Sequence, residues 1–194
     1  DLEIERIAAA ARASGLGLHL DGARIWNASA ATGVDVAALA APFDTLSVCF
    51  SKGLGAPVGS AFVGSREHVV QAHRFRKMLG GGMRQAGILA AGALYALEQH
   101  RPRLVDDHTA ARAFADDLRG VAGLELAPVD TNIVSLTTRL PATDVARRAA
   151  EAGVLMNATG KHKLRAVTHL DVSLEQVKGA ALALRRLFEA EALG

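Results

Sequence analysis

The segment from Asp44 to Pro57 constrains the fold most, because an apolar run within it ends abruptly in Ser-Lys and is followed by two glycines and a proline. Apolar residues alternate with smaller ones before that break, the pattern of a short buried strand, at Leu46, Val48 and Phe50. The glycines and the proline then end the strand in a turn. Lys52 is therefore predicted at the carboxyl end of a strand, the edge where open α/β sheets place ligands.

Lys52 allows two interpretations at this position. If the turn buries it, removal from water favours the neutral amine, which is the nucleophile needed to condense with a carbonyl group. Otherwise it is an ordinary lysine whose charged end reaches water from the end of a strand. The segment alone leaves both interpretations open.

A second short apolar strand, Leu16–Leu20, ends in Asp-Gly-Ala-Arg and lies upstream. If the two strands are parallel neighbours, Asp21 and Lys52 reach the same edge of the sheet. This pair suits pyridoxal phosphate, because a lysine holds the aldehyde of that cofactor while a carboxylate keeps its pyridine nitrogen protonated. The alternative for Asp21 is a turn or helix-capping aspartate, which is common before glycine.

Three blocks of sequence carry a family resemblance. They are His-Leu-Asp-Gly-Ala-Arg at 19–24, the run from Ser47 to Ser60, and Arg-Lys-Met-Leu-Gly-Gly-Gly-Met-Arg-Gln at 76–85, and Arg-Ala-Val-Thr-His at 165–169 resembles a fourth. In order and spacing they resemble the low-specificity L-threonine aldolases, which are fold-type I pyridoxal-phosphate enzymes. One block alone would be weak evidence, whereas the combination is specific.

The resemblance implies a fold and a domain organisation. We expect an α/β fold of the aspartate aminotransferase-like, PLP-dependent transferase type, with a mostly parallel sheet flanked by helices and a small C-terminal α+β domain. Residues 1–119 would form the C-terminal part of the large cofactor-binding domain, and residues 120–194 the small domain. The family's Gly-rich phosphate loop and ring-stacking histidine are not among these residues, so we expect residues 1–194 alone not to be a self-sufficient enzyme.

The resemblance also implies an activity, the retro-aldol cleavage of L-threonine and L-allo-threonine to glycine and acetaldehyde. It assigns roles residue by residue: Lys52 to the cofactor aldehyde, Asp21 to the ring nitrogen, Arg24 to the cofactor and, with Arg165, to the substrate carboxylate, and Ser51, Arg84 and Lys77 to the phosphate. Arginine suits a carboxylate because its planar guanidinium donates two parallel hydrogen bonds. For His169 we expect a structural hydrogen bond.

Gly80–Gly82 suggest an anion site, because glycines before a helix leave backbone N–H groups available to a negative ligand. We expect Arg84 in the first turn of the helix that follows, where a cation opposes the helix dipole unless an anion accompanies it. The resemblance implies that this anion is the cofactor phosphate of a neighbouring subunit. The protein would then be a homo-oligomer, a dimer of dimers with shared active sites.

Three other functions are compatible with the same residues. Another fold-type I reaction, such as β-elimination, would use Lys52 and Asp21. A phosphate-binding module without chemistry would need only the glycine run and Arg84. A catalytically silent fragment that packs against a partner would need neither.

Composition argues against several partners. The formal net charge is +2 and the pI about 9.0, with basic residues dispersed along the chain, which does not indicate nucleic-acid binding. The longest apolar run, 86–97, is shorter than the roughly 20 residues of a membrane span. A single cysteine, Cys49, excludes an intrachain disulfide and fits a reducing compartment, so we expect a cytoplasmic protein.

No metal site is predicted. Asp106, Asp107 and His108 are consecutive, and adjacent positions on a helix diverge, so we interpret them as a solvated face. Patterning elsewhere predicts these further elements: a helix from the first residue to near Gly15, a return strand at 59–64, helices at 65–79, 85–102, 103–119 and 143–152, strands at 124–127, 132–138, 154–156 and 164–169, and a final helix opened by a capping box at 173–176. Ser65 is the predicted N-cap of the helix at 65–79. The family resemblance implies that the return strand is antiparallel.

Overall fold

A computed structural model describes the backbone of residues 2–192 and the side chains of residues 3–190. The chain divides into two compact units, Asp1–Leu104 and Val105–Gly194. No helix within residues 2–192 is long and apolar enough to cross a membrane.

The first unit contains a three-stranded sheet and its helices. Its elements are α1 (Leu2–Ala13), β1 (His19–Gly22), α2 (Ile25–Thr32), α3 (Val36–Ala40), β2 (Thr45–Cys49), β3 (Ser60–Val63), α4 (Arg66–Met78) and α5 (Gly87–Tyr95). The sheet order is β1-β2-β3, with β1 parallel and β3 antiparallel to β2. The predicted parallel pair and the antiparallel return strand are therefore confirmed. The first predicted helix corresponds to α1, and Asp1 lies outside the described residues.

Local sequence explains most of these boundaries. Ser65 caps α4 as predicted, because its hydroxyl accepts a hydrogen bond from the backbone N–H of His68 at 3.3 Å. Asp35 caps α3 in the same way, accepting from the N–H of Ala37 at 2.8 Å. The strand predicted at Leu16–Leu20 begins later, at His19, so that Asp21 lies within β1.

The helix predicted to begin near Gln85 begins instead at Gly87, so placing Arg84 in its first turn is wrong. The physical reason is the lack of a start signal: Ala86 occupies the N-cap position and makes no side-chain capping bond. After Tyr95 the helix continues as a π-helical turn, Ala96–His100, and a 3₁₀ turn, Arg101–Arg103.

The second unit is a four-stranded antiparallel sheet covered by three helices. Its elements are α6 (Leu104–Leu118), β4 (Leu124–Leu126), β5 (Ile133–Thr138), α7 (Ala142–Glu151), β6 (Asn157–Gly160), β7 (Lys163–Val167) and α8 (Leu174–Ala192), in the sheet order β4-β5-β7-β6. Its core is built from buried faces of all three helices, including Phe114, Val145 and Leu184. The predicted capping box is present, since the backbone N–H of Ser173 and that of Gln176 each donate to the other's side-chain oxygen.

Residues 154–156 do not form the predicted strand. Gly153 has a φ of 81°, and the N–H of Val154 donates to the oxygen of Ala149 at 2.8 Å, which closes the end of α7. That amide is therefore used by the helix terminus rather than by a strand ladder, although Val154 is buried. The strand β6 begins only at Asn157.

The solvated face predicted on α6 is confirmed for Asp106, which is exposed, but is wrong for Asp107 and His108. Asp107 and His108 are each only 2% exposed, because α6 is buried over a wide arc that also includes Ala110, Ala111 and Phe114. The hydroxyl of Thr168 donates to the backbone oxygen of Asp107 at 2.6 Å. Asp106 and Thr109, on either side of this buried pair, are exposed, so only part of the helix surface is covered.

Candidate active site

The parallel pairing of β1 and β2 brings the predicted acid and the predicted lysine to one edge of the sheet. Asp21 is in register with Ser47, and Gly22, the last residue of β1, with Val48. The chain leaves β2 after Cys49 and reaches Lys52 within the following turn. Both residues therefore lie at the carboxyl ends of adjacent parallel strands, where this class of sheet binds ligands.

Asp21 forms a short turn with the residues that follow it. Its Oδ1 atom accepts a hydrogen bond from the backbone N–H of Ala23 at 3.2 Å. Within the described side chains, its other carboxylate oxygen has no hydrogen-bond partner, and the residue is exposed. The turn orients the carboxylate and leaves one oxygen available to a ligand.

Arg24 occupies the N-cap position of α2, immediately after that turn. Its side chain makes no capping bond, and the residue is half-buried. A guanidinium at the amino end of a helix opposes the helix dipole, so an anionic ligand would be favourable beside it. This is the position expected of a group that binds a carboxylate or a phosphate.

Lys52 lies in a tight turn that runs from Ser51 to Gly55. The N–H of Gly55 donates to the oxygen of Lys52 at 2.8 Å, and the N–H of Ala56 to the oxygen of Phe50 at 3.0 Å. Gly55 has a φ of 71°, a conformation that favours glycine. Ser51 and Lys52 are both exposed. Of the two interpretations left open for Lys52, the structure supports the exposed lysine within the described chain, because the turn carries its side chain outward.

Leu54, in the same turn, is buried in an apolar cluster. Leu54 is completely buried and packs with Ala56, Ala96 and Leu104, while Trp26 and four other partly buried apolar side chains lie against this cluster. The turn is therefore exposed at Lys52 and fixed at Leu54, only two positions further along the chain.

Side chains from other elements also hold this turn, and sequence reasoning missed all of them. The indole N–H of Trp26 donates to the oxygen of Cys49, and Nδ1 of His100 lies 2.7 Å from the oxygen of Leu54. Asn27 is 2% exposed and lies against Gly53, where an added Cβ would be 2.7 Å from its Oδ1 atom. A polar residue that follows the apolar pair Ile25-Trp26, close after the Asp-Gly-Ala-Arg block, was a usable signal for Asn27, whereas the sequence around His100 contains none.

Of the predicted phosphate ligands, Lys77 and Arg84 lie apart from Ser51 along the chain. Lys77 is in the last turn of α4, and a Cβ on Gly82 would meet its Cδ at 3.1 Å, so the lysine side chain lies along the glycine run. Arg84 is exposed in the segment between α4 and α5. The roles of these residues stay predictions.

Arg165 lies on β7 in the second unit, where it is in register with Ser135 on one side and Asn157 on the other. It is half-buried, and its Nε atom is buried without a hydrogen-bond partner among the described residues. A buried donor without a partner is costly unless a ligand accepts from it. His169 contacts Asp171, accepting from its N–H at 3.3 Å.

The pKa of His108 is displaced. Burial lowers the pKa of His108 below its ordinary value of 6.5, the Arg112 charge acts in the same direction, and the Asp107 charge opposes them. His108 is in the second unit and is not one of the predicted site residues. Within the side chains that the structure describes, no group of three or more His, Cys, Asp or Glu residues could hold a metal ion.

Comparison with known proteins gives relatives that include several low-specificity L-threonine aldolases. The chain is 44% identical over 171 residues to the low specificity L-threonine aldolase of Escherichia coli K12, an alignment that covers 88% of this chain and 50% of the relative. It is 40% identical over 179 residues to low-specificity L-threonine aldolase 1 of Arabidopsis thaliana, covering 89% of this chain and 50% of that protein. The chain spans about half the length of the curated relatives it matches.

Solved structures show the same fold at lower identity. The threonine aldolase of Leishmania major superposes with a TM-score of 0.77 at 21% identity, over 96% of this chain and 56% of that one. The α-aminoadipate aminotransferase of Thermus thermophilus gives 0.71 at 18% identity, over 98% and 55%. The predicted fold class, that of the PLP-dependent transferases, is confirmed.

A family model provides the assignment. The model described as beta-eliminating lyase matches residues 2–140, which include β1, β2 and the Lys52 turn. With the structural neighbours, it implies pyridoxal phosphate as the cofactor. The resemblance to low-specificity threonine aldolases is likewise confirmed. The chain belongs to the beta-eliminating lyase family.

Proposed function

We propose that the protein carrying this chain cleaves L-threonine and L-allo-threonine to glycine and acetaldehyde, with pyridoxal phosphate held by Lys52. The observation that carries the proposal is the register of β1 and β2, which brings Asp21 and the Lys52 turn to one sheet edge. The names of the relatives support the choice of substrate, since those proteins are threonine aldolases.

The residues present fit the cofactor and an amino-acid substrate. Lys52 is exposed, and its side chain makes none of the hydrogen bonds or ion pairs of the described residues, so its amine is accessible to an aldehyde. Among the described residues, Asp21 has one carboxylate oxygen without a partner, which suits a protonated ring nitrogen. The buried Nε of Arg165 finds no acceptor in the described part of the chain, and a substrate carboxylate would supply one.

Each residue then has a definite task. When bound, pyridoxal phosphate supplies an electron sink for the electron pair released when the Cα–Cβ bond of the substrate breaks. Asp21 holds a proton at the ring nitrogen, which strengthens that sink. Arg24 and Arg165 grip the carboxylate and so fix the direction of the Cα–Cβ bond, while Ser51, Arg84 and Lys77 bind the phosphate.

Reductive trapping tests the cofactor assignment directly. The protein is incubated with pyridoxal phosphate and borohydride, and peptides are mapped by mass for the attached pyridoxyl group. We expect attachment at Lys52 and its loss in Lys52→Ala, whereas Lys163→Ala, which changes an exposed lysine of the second unit, serves as the matched control. A pyridoxyl group found elsewhere in the wild type, or retained by Lys52→Ala, would contradict the assignment.

A second reaction is favoured by the family description itself, which is that of beta-eliminating lyases. β-Elimination from serine would use the same Lys52 and Asp21 and would give pyruvate and ammonia. Product analysis separates the two reactions, because threonine cleavage gives glycine and acetaldehyde in equal amounts. Pyruvate from serine at a higher kcat/KM than glycine from threonine would replace the aldolase proposal.

The oligomer belongs to the same proposal: a dimer of dimers in which Arg84 serves the neighbouring subunit's phosphate. Large apolar side chains exposed around the glycine run support an interface there, namely Met78, Leu79, Met83 and Ile88. Mixing Lys52→Ala with Arg84→Ala should restore part of the activity in hybrid oligomers. No recovery after demonstrated subunit exchange would contradict the shared site.

Two further assignments stay proposals. The domain boundary at 119–120 is supported by the end of α6 at Leu118 and by the positive φ of Gly120, 77°, just after it. The cytoplasm is supported as the location by the single cysteine, Cys49, which suits a reducing compartment.

A further inference from the structure

Within the described residues, the amine of Lys52 makes no hydrogen bond or ion pair that would fix its position. The backbone of the Ser51–Gly55 turn therefore sets the point and the direction from which the side chain reaches the cofactor. Any group that holds this turn controls where the amine points, and a displacement of about 1 Å at a reacting group costs on the order of 100-fold in rate.

His100 makes a hydrogen bond to this turn from a distant part of the chain. Its Nδ1 lies 2.7 Å from the backbone oxygen of Leu54. A carbonyl oxygen can only accept, so Nδ1 carries the hydrogen and donates it. The Tyr95 ring packs nearly perpendicular to the imidazole, with 5.3 Å between ring centroids, which restricts the rotation of the imidazole.

The helix that carries His100 is distorted at this point. His100 is the last residue of the π-helical turn Ala96–His100, and a π turn changes the direction of each following side chain relative to a regular α-helix. Such turns are frequent at functional sites. Within the same turn Ala96 is 1% exposed and packs against Leu54, so the distorted helix contacts that residue through both a side chain and a hydrogen bond.

We propose that His100 is a positioning residue for Lys52: its Nδ1–H···O bond to Leu54 holds the turn that aims the lysine amine at the cofactor aldehyde. The consequence for the lysine rests on the proposed function, whereas the effect on the turn does not. His100 acts through the backbone and does not itself contact the cofactor or the substrate.

Two variants separate the hydrogen bond from the space that the side chain fills. His100→Asn places an amide N–H at the branch position of Nδ1 and keeps a donor, whereas His100→Leu fills similar volume without one. The matched control is His162→Leu, because Nδ1 of His162 makes the same kind of bond, 3.1 Å to the oxygen of Leu140, in the second unit. An effect that came only from lost stability would appear in His100→Leu and His162→Leu alike.

The first readout is backbone amide exchange in the 194-residue chain, which needs no cofactor. The protecting bonds are Gly55 N–H to Lys52 O and Ala56 N–H to Phe50 O. We expect His100→Leu to accelerate exchange of both amides about tenfold, with His100→Asn and His162→Leu close to the wild type. Unchanged exchange in His100→Leu, or equal acceleration in His100→Asn, would overturn the proposal.

The second readout is borohydride trapping, expressed as pyridoxyl label on Lys52 relative to the lysines of the second unit. The ratio should fall in His100→Leu and recover in His100→Asn; an unchanged ratio in His100→Leu would overturn the link to Lys52. If the wild type is not labelled at Lys52, the proposed function fails, while amide exchange still decides the role of His100. If His100→Leu does not fold, His100→Gln replaces it and is compared with His100→Asn in both measurements. The amide donor of glutamine is one bond further from the backbone than Nδ1 of histidine, so we expect His100→Gln to behave as the leucine variant.

Discussion

The indole N–H of Trp26 donates a hydrogen bond to the backbone oxygen of Cys49, with a nitrogen–oxygen distance of 3.1 Å. Trp26 is in α2, the helix that begins directly after Arg24, and Cys49 is the last residue of β2. The helix that follows the acid thus holds the strand that leads to the lysine. The relative position of Asp21 and Lys52 is set by this bond together with the parallel pairing of β1 and β2.

Gly53→Ala should be destabilising, because the turn has no room for a methyl group. The new Cβ would lie 2.7 Å from Oδ1 of Asn27 and 3.1 Å from Cδ2 of Leu104. We expect a loss of about 1–3 kcal/mol in the free energy of unfolding, measured by urea titration, and less pyridoxyl label on Lys52. Gly179→Ala is the control: it meets nothing within 4 Å inside α8 and should stabilise by about 0.5–1 kcal/mol. Equal stability of the two variants would show that Asn27 yields without cost.

Asp21→Asn should separate cofactor attachment from turnover. The amide preserves the size of the side chain and can still accept the N–H of Ala23, so the turn and the attachment at Lys52 should persist. An amide cannot hold the ring nitrogen protonated, and we expect kcat for threonine cleavage to fall roughly 100-fold or more. Borohydride mapping measures the attachment at Lys52, and an assay of the glycine released measures turnover. Near-wild-type turnover would exclude Asp21 from the proton-holding role.

The sequence predicted the carboxyl ends of β1 and β2 well because its signals there are local. An apolar run that stops at Ser-Lys and glycines places the end of β2 within a few residues, and the strand ending in Asp-Gly-Ala-Arg does the same for β1. Their parallel pairing followed from the known preference of such sheets rather than from any single residue. The capping residue Ser65 and the box at Ser173 were identified for the same reason, since a cap is a contact between neighbours in sequence.

The predictions were wrong where contacts between distant parts of the chain determine burial and side-chain direction. Asp107 and His108 were predicted to be solvated from their own segment, but both are buried, and the hydroxyl of Thr168, 61 residues away, donates to the backbone oxygen of Asp107. The outward direction of Lys52 depends on the burial of Leu54, which is a property of the cluster and not of the turn. Likewise, the sequence near His100 does not indicate its hydrogen bond to the backbone oxygen of Leu54, 46 residues away.

Arg165→Lys should weaken amino-acid binding more than it changes stability. The Nε atom of Arg165 makes no hydrogen bond among the described residues, so folding loses little when it is removed. A lysine keeps the charge but not the paired hydrogen bonds to a carboxylate, and KM for threonine should rise roughly 10- to 100-fold with a smaller change in kcat. Steady-state kinetics measure this, with Arg139→Lys, an exposed arginine of the same unit, as the control. Unchanged KM and kcat would make Arg165 a surface residue.

His108 should make the second unit less stable in mild acid. Its pKa is lowered in the folded protein, first by burial and then by the Arg112 charge, against the opposing charge of Asp107. Below pH 6.5, the ordinary pKa of histidine, His108 binds a proton in the unfolded chain but not yet in the folded chain. The contribution of neutral His108 to the free energy of unfolding is therefore fully present above pH 6.5 and is lost as the pH falls towards the pKa of the folded state. His108→Gln, which cannot titrate, should flatten the fall in unfolding free energy between about pH 7 and about pH 5, measured by urea titration followed by circular dichroism. His73→Gln, which alters an exposed histidine of α4, should leave the wild-type slope unchanged, and equal slopes in wild type and His108→Gln would show that burial of His108 does not govern the acid sensitivity.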